Sequence, residues 1–231
     1  MNIEIYADGS DITEMVTTYN TKKFVTGFTT NPSLMRKAKV DDYLDFVKKV
    51  TEQIQDLPIS FEVFADDLSE MKRQAKILAG FGNNIFVKIP VTNTKGESTK
   101  TLILDLLNEG IKVNVTAVFT EAQIDELIPY MDSQTEAVLS IFAGRIADTG
   151  INPSPIVRHA LTKTTKNVKV LWASCREVYN IYEADLIGCH IVTASSDLIA
   201  KLSLQGKCLT QYSLETVQMF YDDAAKSKYT L

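Results

Sequence analysis

A single (β/α)₈ TIM barrel carrying an extra C-terminal helix is the α/β fold this sequence predicts. Three observations lead there. Short apolar, β-branched runs recur along the chain, each is followed by apolar residues at helical spacing, and eight such pairs fit into 231 residues with no linker, repeat or low-complexity break. The strand-like runs are residues 3–7, 24–28, 59–64, 85–91, 112–118, 137–142, 168–173 and 190–194. Between the second and third runs, Tyr43, Val47, Val50 and Ile54 mark one helix face; between the third and fourth, Leu68, Met71, Ala75 and Leu78 mark another. After the fifth run Thr120 and Gln123 read as a capping box, and after the sixth Asn152-Pro153 reads as a cap with proline in the first turn. After the eighth, residues 213–225 place Leu214, Val217, Phe220 and Tyr221 at helical spacing. The same alternation would also suit an open doubly wound sheet. With no composition shift to divide it, residues 1–231 are expected to form one domain.

Charge and composition exclude several classes of partner. A formal charge of −5 and a pI near 5.2, with no local basic patch, argue against nucleic acid and against an anionic membrane. No segment reaches the ~18 apolar residues that span a bilayer, and the chain runs directly into Ile3-Glu4-Ile5-Tyr6, so a cytoplasmic location is expected. Cys175, Cys189 and Cys208 are odd in number and lack metal-ligand spacing, and there are two histidines, so reduced thiols and neither a metal nor another cofactor are expected.

Chemistry is signalled first by Lys88, which interrupts the apolar run Asn84-Ile85-Phe86-Val87-Lys88-Ile89-Pro90-Val91. An ammonium kept from water loses hydration, which favours the neutral amine, a nucleophile towards carbonyls. Taken by itself, a lysine facing water at a strand end or paired with a buried carboxylate is the plainer account. Strand alternation changes the balance. Ile85, Val87 and Ile89 suit the helix layer, so Phe86 and Lys88 face the barrel interior. Opposite Phe61 and Val63 lie Ser60, Glu62 and Phe64; opposite Val113, Val115 and Ala117 lie Asn114 and Thr116; Tyr6 with Asp8, and Ser140 with Phe142, complete the inward set. A lysine, two carboxylates and several hydroxyl and amide groups thus converge near carboxyl ends of strands, where barrel enzymes place their chemistry.

Five blocks then carry a family resemblance: Thr29-Thr30-Asn31-Pro32-Ser33, Phe86-Val87-Lys88-Ile89-Pro90, Asn114-Val115-Thr116, Ser140-Ile141-Phe142-Ala143-Gly144-Arg145 and Ala173-Ser174-Cys175-Arg176. In order and over essentially the whole chain they resemble the transaldolase family, in its short transaldolase and fructose-6-phosphate aldolase subgroup. The resemblance implies metal-free Schiff-base chemistry on sugar phosphates. Lys88 would be the nucleophile, Asp8 the acid/base, and Glu62 with Thr116 the holders of the water that enters and leaves. Asn31, Asn114 and Ser140 would bind the dihydroxyacetone unit, and Arg145, Ser174 and Arg176 the phosphate. It also implies a homo-oligomer, pentamer or decamer, in which the C-terminal helix packs on a neighbour. Glu62 and Phe142 match the transaldolase pattern, whereas the aldolases carry glutamine and tyrosine there. Departures are Gly9, Ile141 and Cys175. Transfer of dihydroxyacetone from sedoheptulose 7-phosphate or fructose 6-phosphate to an aldose phosphate is the leading expectation, with fructose-6-phosphate aldolase activity, and a catalytically silent sugar-phosphate-binding barrel, as alternatives.

Overall fold

The computed structural model describes residues 1–21 and 24–227, and its strands close into a parallel barrel in sequence order, each paired with the next and the last with the first. The strands are β1 (Glu4–Asp8), β2 (Val25–Thr29), β3 (Ile59–Glu62), β4 (Ile85–Pro90), β5 (Val113–Val118), β6 (Ala137–Ile141), β7 (Val168–Trp172) and β8 (Ile191–Ala194). All eight lie where the apolar runs place them. Around them run α1 (Ile12–Thr21), α2 (Pro32–Lys37), α3 (Tyr43–Gln53), α4 (Leu68–Ala79), α5 (Lys100–Asn108), α6 (Glu121–Met131), α7 (Ala143–Asp148), α8 (Ser154–Lys163), α9 (Tyr179–Leu186) and α10 (Ser196–Ala200).

The helices bury the faces their spacing picks out, Val47 and Val50 on α3 and Met71, Ala75 and Leu78 on α4. The outward residues of β4, Ile85, Val87 and Ile89, are buried with them. Thr120 and Gln123 form the reciprocal capping box at the start of α6. At α8 the cap residue is Pro153 rather than Asn152, although the Asn152 side chain still accepts the Ser154 N–H at 3.0 Å. Among the described residues no helix is long and apolar enough to cross a membrane.

Inside the barrel, Tyr6, Phe86, Val138, Leu171, Ala173 and Ile191 form one apolar cluster with Phe142 packed against it. The Tyr6 ring fits because its partner on β2 is Gly27, where a Cβ would lie 2.6 Å from the ring. Two details depart from simple alternation. Strand β3 ends at Glu62, so Phe64 is not interior: it is 65% exposed and meets Tyr43 edge-on at 5.4 Å. In β5 the pairing slips between Val115 and Val118, and Ala117 takes a left-handed φ of +59°, which turns it off the outward face.

Residues divide into two compact units at Ile199. The second contains a 3₁₀ turn (Lys201–Leu204) and α11 (Leu209–Ser227), longer than the expected 213–225. No residue of α11 is buried, and Leu214, Val217, Phe220 and Tyr221 are all exposed.

Candidate active site

At the carboxyl end of the strands a cavity of about 320 Å³ is lined by Asp8, Asn31, Glu62, Lys88, Asn114, Thr116, Ser140, Phe142, Arg145 and Ser174. Each of these is a residue that strand alternation or the motif blocks single out. Lys88 is the centre: its side chain is 8% exposed, and its ammonium donates to the Thr30 carbonyl at 2.7 Å and to Glu62 Oε2 at 3.1 Å. Burying a charge costs several kcal/mol unless partners are supplied, and these two supply them. Glu62 is itself anchored from behind, because the Tyr43 hydroxyl on α3 donates to the Glu62 carbonyl at 2.8 Å.

Asp8, at the end of β1, is held across the cavity. Burial pushes its carboxyl above the usual range, outweighing the opposing pull of the Lys88 charge and of the Thr29 hydroxyl, while Glu62 pushes the same way as burial. A carboxyl so placed keeps its proton to higher pH and is suited to exchanging it with a bound hydroxyl. The Thr29 hydroxyl donates to Asp8 Oδ1 at 2.7 Å and accepts from Thr193, 2.6 Å away on β8. That threonine pair has a weak signal in sequence, since threonine is an ordinary strand residue.

Opposite, a chain of neutral groups crosses three strands. Ser140 donates to Asn114 Oδ1 at 2.6 Å, and Asn114 Nδ2 donates to Ser60 Oγ at 3.0 Å. Asn31 caps α2 by accepting the Leu34 N–H at 3.0 Å, which leaves its amide N–H groups for a ligand. Among the described residues the buried Thr116 hydroxyl has no hydrogen-bond partner, so it is available to hold water or a substrate oxygen. Ala117, assigned outward by alternation, lines the cavity instead, because of its left-handed turn.

Arg145 lies with its guanidinium 5.3 Å over the Phe142 ring, and Phe142 in turn packs on Phe119. The turn after β7 approaches α7 closely: a Cβ on Gly144 would fall 1.6 Å from the Ser174 carbonyl oxygen, and Ser174 itself has φ +68°. Arg176 does not line the cavity. It is half exposed and binds Asp148 through Nε at 3.0 Å and through a second, Nη2 contact. Cys175 is partly buried, its thiol pushed up to about 12 chiefly by desolvation, which keeps it protonated and inert at neutral pH.

Comparison with known proteins follows the same lines. The family model described as Transaldolase/Fructose-6-phosphate aldolase matches residues 5–231. Proteins named "Probable transaldolase" are 32% identical to this chain, one from Brucella ovis over 97% of this chain and 98% of its own length, one from Thermoanaerobacter sp. over 87% and 89%. Among solved structures, the tryptophan synthase A-subunit from Pyrococcus furiosus is similar with a TM-score of 0.60 at 12% identity, covering 91% of this chain and 94% of that one. 3-Hexulose-6-phosphate synthase from Salmonella typhimurium gives 0.59 at 13%, covering 85% and 89%. At that identity these two speak for the barrel fold alone.

The raised Asp8 predicts a pH-dependent stability cost. At low pH Asp8 is neutral in the folded and unfolded chain alike and contributes nothing. As pH rises past the ordinary value of 3.8, the unfolded chain gives up the proton first, and the folded state loses stability until Asp8 also ionises. Chemical denaturation from about pH 4 to pH 8 should show the advantage of Asp8→Asn over wild type growing with pH. A constant or shrinking difference would contradict the burial of this carboxyl.

Proposed function

This chain belongs to the transaldolase/fructose-6-phosphate aldolase family, and we propose that it is a cytoplasmic transaldolase that moves a dihydroxyacetone unit from a ketose phosphate to an aldose phosphate through a Schiff base on Lys88. The observation that carries this reading is one lysine amine, shielded from bulk water, in the same cavity as two carboxylates and an unpartnered hydroxyl.

In the proposed cycle the Lys88 proton passes to a neighbouring carboxylate or to substrate, and the free amine attacks C2 of sedoheptulose 7-phosphate or fructose 6-phosphate. The carbinolamine loses water, with Glu62 and Thr116 handling it. The resulting iminium draws the electrons of the C3–C4 bond as Asp8 takes the C4 hydroxyl proton, releasing an aldehyde and leaving an enamine. Addition of the enamine to a new aldehyde reverses these steps, with Asp8 returning the proton to the alkoxide, and hydrolysis frees the amine. Asn31, Asn114 and Ser140 suit the hydroxyls of the three-carbon unit, and Arg145, Ser174 and Arg176 suit the phosphate. Arg176 must leave Asp148 to take part. Its ion pair is half exposed, and such pairs are worth about 0–1 kcal/mol, so a dianion can compete for it.

Transfer rather than release is supported by Phe142, a ring with no hydroxyl to activate water beside the enamine. The apolar residues exposed along α11 support a homo-oligomer, a pentamer or decamer, built by packing this helix on a neighbouring subunit.

Three outcomes are expected. Lys88→Arg should fold yet lose essentially all turnover, since guanidinium cannot form an imine, and borohydride with fructose 6-phosphate should add mass to the wild type at Lys88 alone. Labelling of the variant, or of another lysine, would defeat the assignment. Phe142→Tyr should raise free dihydroxyacetone relative to sedoheptulose 7-phosphate formed with erythrose 4-phosphate by at least several-fold, the low end of what a proton relay contributes (~10²-fold). An unchanged ratio in a folded variant, or a wild type that already releases faster than it transfers, would favour the aldolase reading. A chain ending at Thr210 should shrink to a smaller hydrodynamic size; retention of the full-length size would remove α11 from the assembly.

A further inference from the structure

A cavity of about 580 Å³ is distinct from the one that holds Lys88. It opens at the opposite end of the barrel, among residues at or just before the starts of β4, β5, β6 and β7. Conservative barrel architecture uses this end for stability, and its charged side chains are ordinarily absorbed in ion pairs with one another. Here three ammonium groups, Lys112, Lys166 and Lys169, share one hollow in a chain whose formal charge is −5. The Lys112 ammonium lies 5.4 Å over the Phe86 ring, so its charge is held above the aromatic floor of the barrel. Glu136 pairs with Lys112 and Glu4 with Lys169, each at 2.5 Å, but these carboxylates are 58% and 34% exposed, and ion pairs of that kind give way readily to a ligand with two charges. No carboxylate of the described residues forms an ion pair with Lys166. The rest of the lining is mixed: the Asp56 carboxylate, which accepts from the Tyr19 hydroxyl at 2.6 Å, and the amides of Gln55, Asn84 and Asn167 stand beside the half-buried Pro58 and Phe81, above the buried Tyr6 and Phe86.

We propose that this cavity is a second ligand site, for a phosphorylated small molecule with a planar ring, of the nucleoside phosphate class. Ammonium groups act on phosphate as point charges, and three of them on one hollow suit a group carrying more than one negative charge. The half-buried Pro58 and Phe81 give the ring a stacking surface, and the Asn83 amide offers hydrogen bonds to its edge. The volume lies within the range of about 300–1,000 Å³ typical of small-molecule sites. Phe86 in the floor stands two residues before Lys88 on the same face of β4, and the apolar cluster it belongs to lies between the two sites, Tyr6 and Val138 lining one and Leu171 and Ala173 the other.

Isothermal titration calorimetry of the full chain with ADP tests this. Saturable binding is expected, at least tenfold weaker for adenosine and for Lys166→Glu, and undiminished by excess fructose 6-phosphate, which occupies the other end. Lys112→Gln, expected to weaken ADP binding several-fold, keeps the test decisive if the charge reversal harms folding, which thermal melts would reveal. No saturable ADP binding, equal binding of adenosine, indifference to both lysine changes, or displacement by fructose 6-phosphate would each overturn the proposal. None of these outcomes depends on whether the enzyme transfers or releases dihydroxyacetone.

Discussion

A charged amine withdrawn from water is the constraint around which this barrel is organised. Lys88 sits in mid-strand with apolar residues on either side in sequence, and its charge is tolerated because Glu62 meets it from the adjacent β3 and the Thr30 carbonyl from just beyond β2. The register makes that possible: Glu62 on β3 stands directly beside Lys88 on β4. The same arrangement serves two ends. It satisfies the ammonium in the resting protein, and it leaves a proton acceptor at hand when the amine must become neutral. A second carboxyl, Asp8, is pushed above the usual carboxylate range by burial, which makes its ionised form the stronger base towards a bound hydroxyl.

The neutral groups show a related economy. Asn114 is held from both sides by Ser60 and Ser140, and therefore presents a fixed amide rather than a rotating one. Thr29 and Thr193 do the same for Asp8. Against this background of satisfied groups, the unpartnered Thr116 hydroxyl is informative, since a buried hydroxyl without a partner costs free energy and is usually kept for a purpose.

Much of this was legible because a strand has a period of two wherever it is regular. Phe86, Lys88, Asn114, Thr116 and Ser140 face inward as alternation requires. Alternation failed where regularity did. Ala117 follows a slip in pairing and turns inward through a left-handed φ, and Phe64 lies past the end of its strand. Arg176 lies in a loop beyond β7, where periodicity carries no information about direction, and its ion pair with Asp148 comes from a residue 28 positions earlier in the chain. Of the lysines of the lower cavity, Lys112 precedes β5 while Lys166 precedes and Lys169 lies in β7, so they meet only through the pairing of both strands with β6. The threonine pair behind Asp8 joins β2 to β8, far apart in sequence and separated in space by β1 alone.

The contact between Gly144 and the Ser174 carbonyl carries a consequence for how this barrel can diversify. The first turn of α7 and the turn after β7 are pressed together with room for a hydrogen atom and nothing larger, and the Gly144 N–H also donates to the Ala173 carbonyl at 3.2 Å. Residues added to either turn would pry Arg145 and Ser174 apart, so these two loops are closed to insertion. New segments, whether from natural drift or from engineering, have to enter elsewhere on the rim. Change in the accepted sugar would then come by altering the reach of other loops, with the corner shared by the sixth and seventh units kept at constant length.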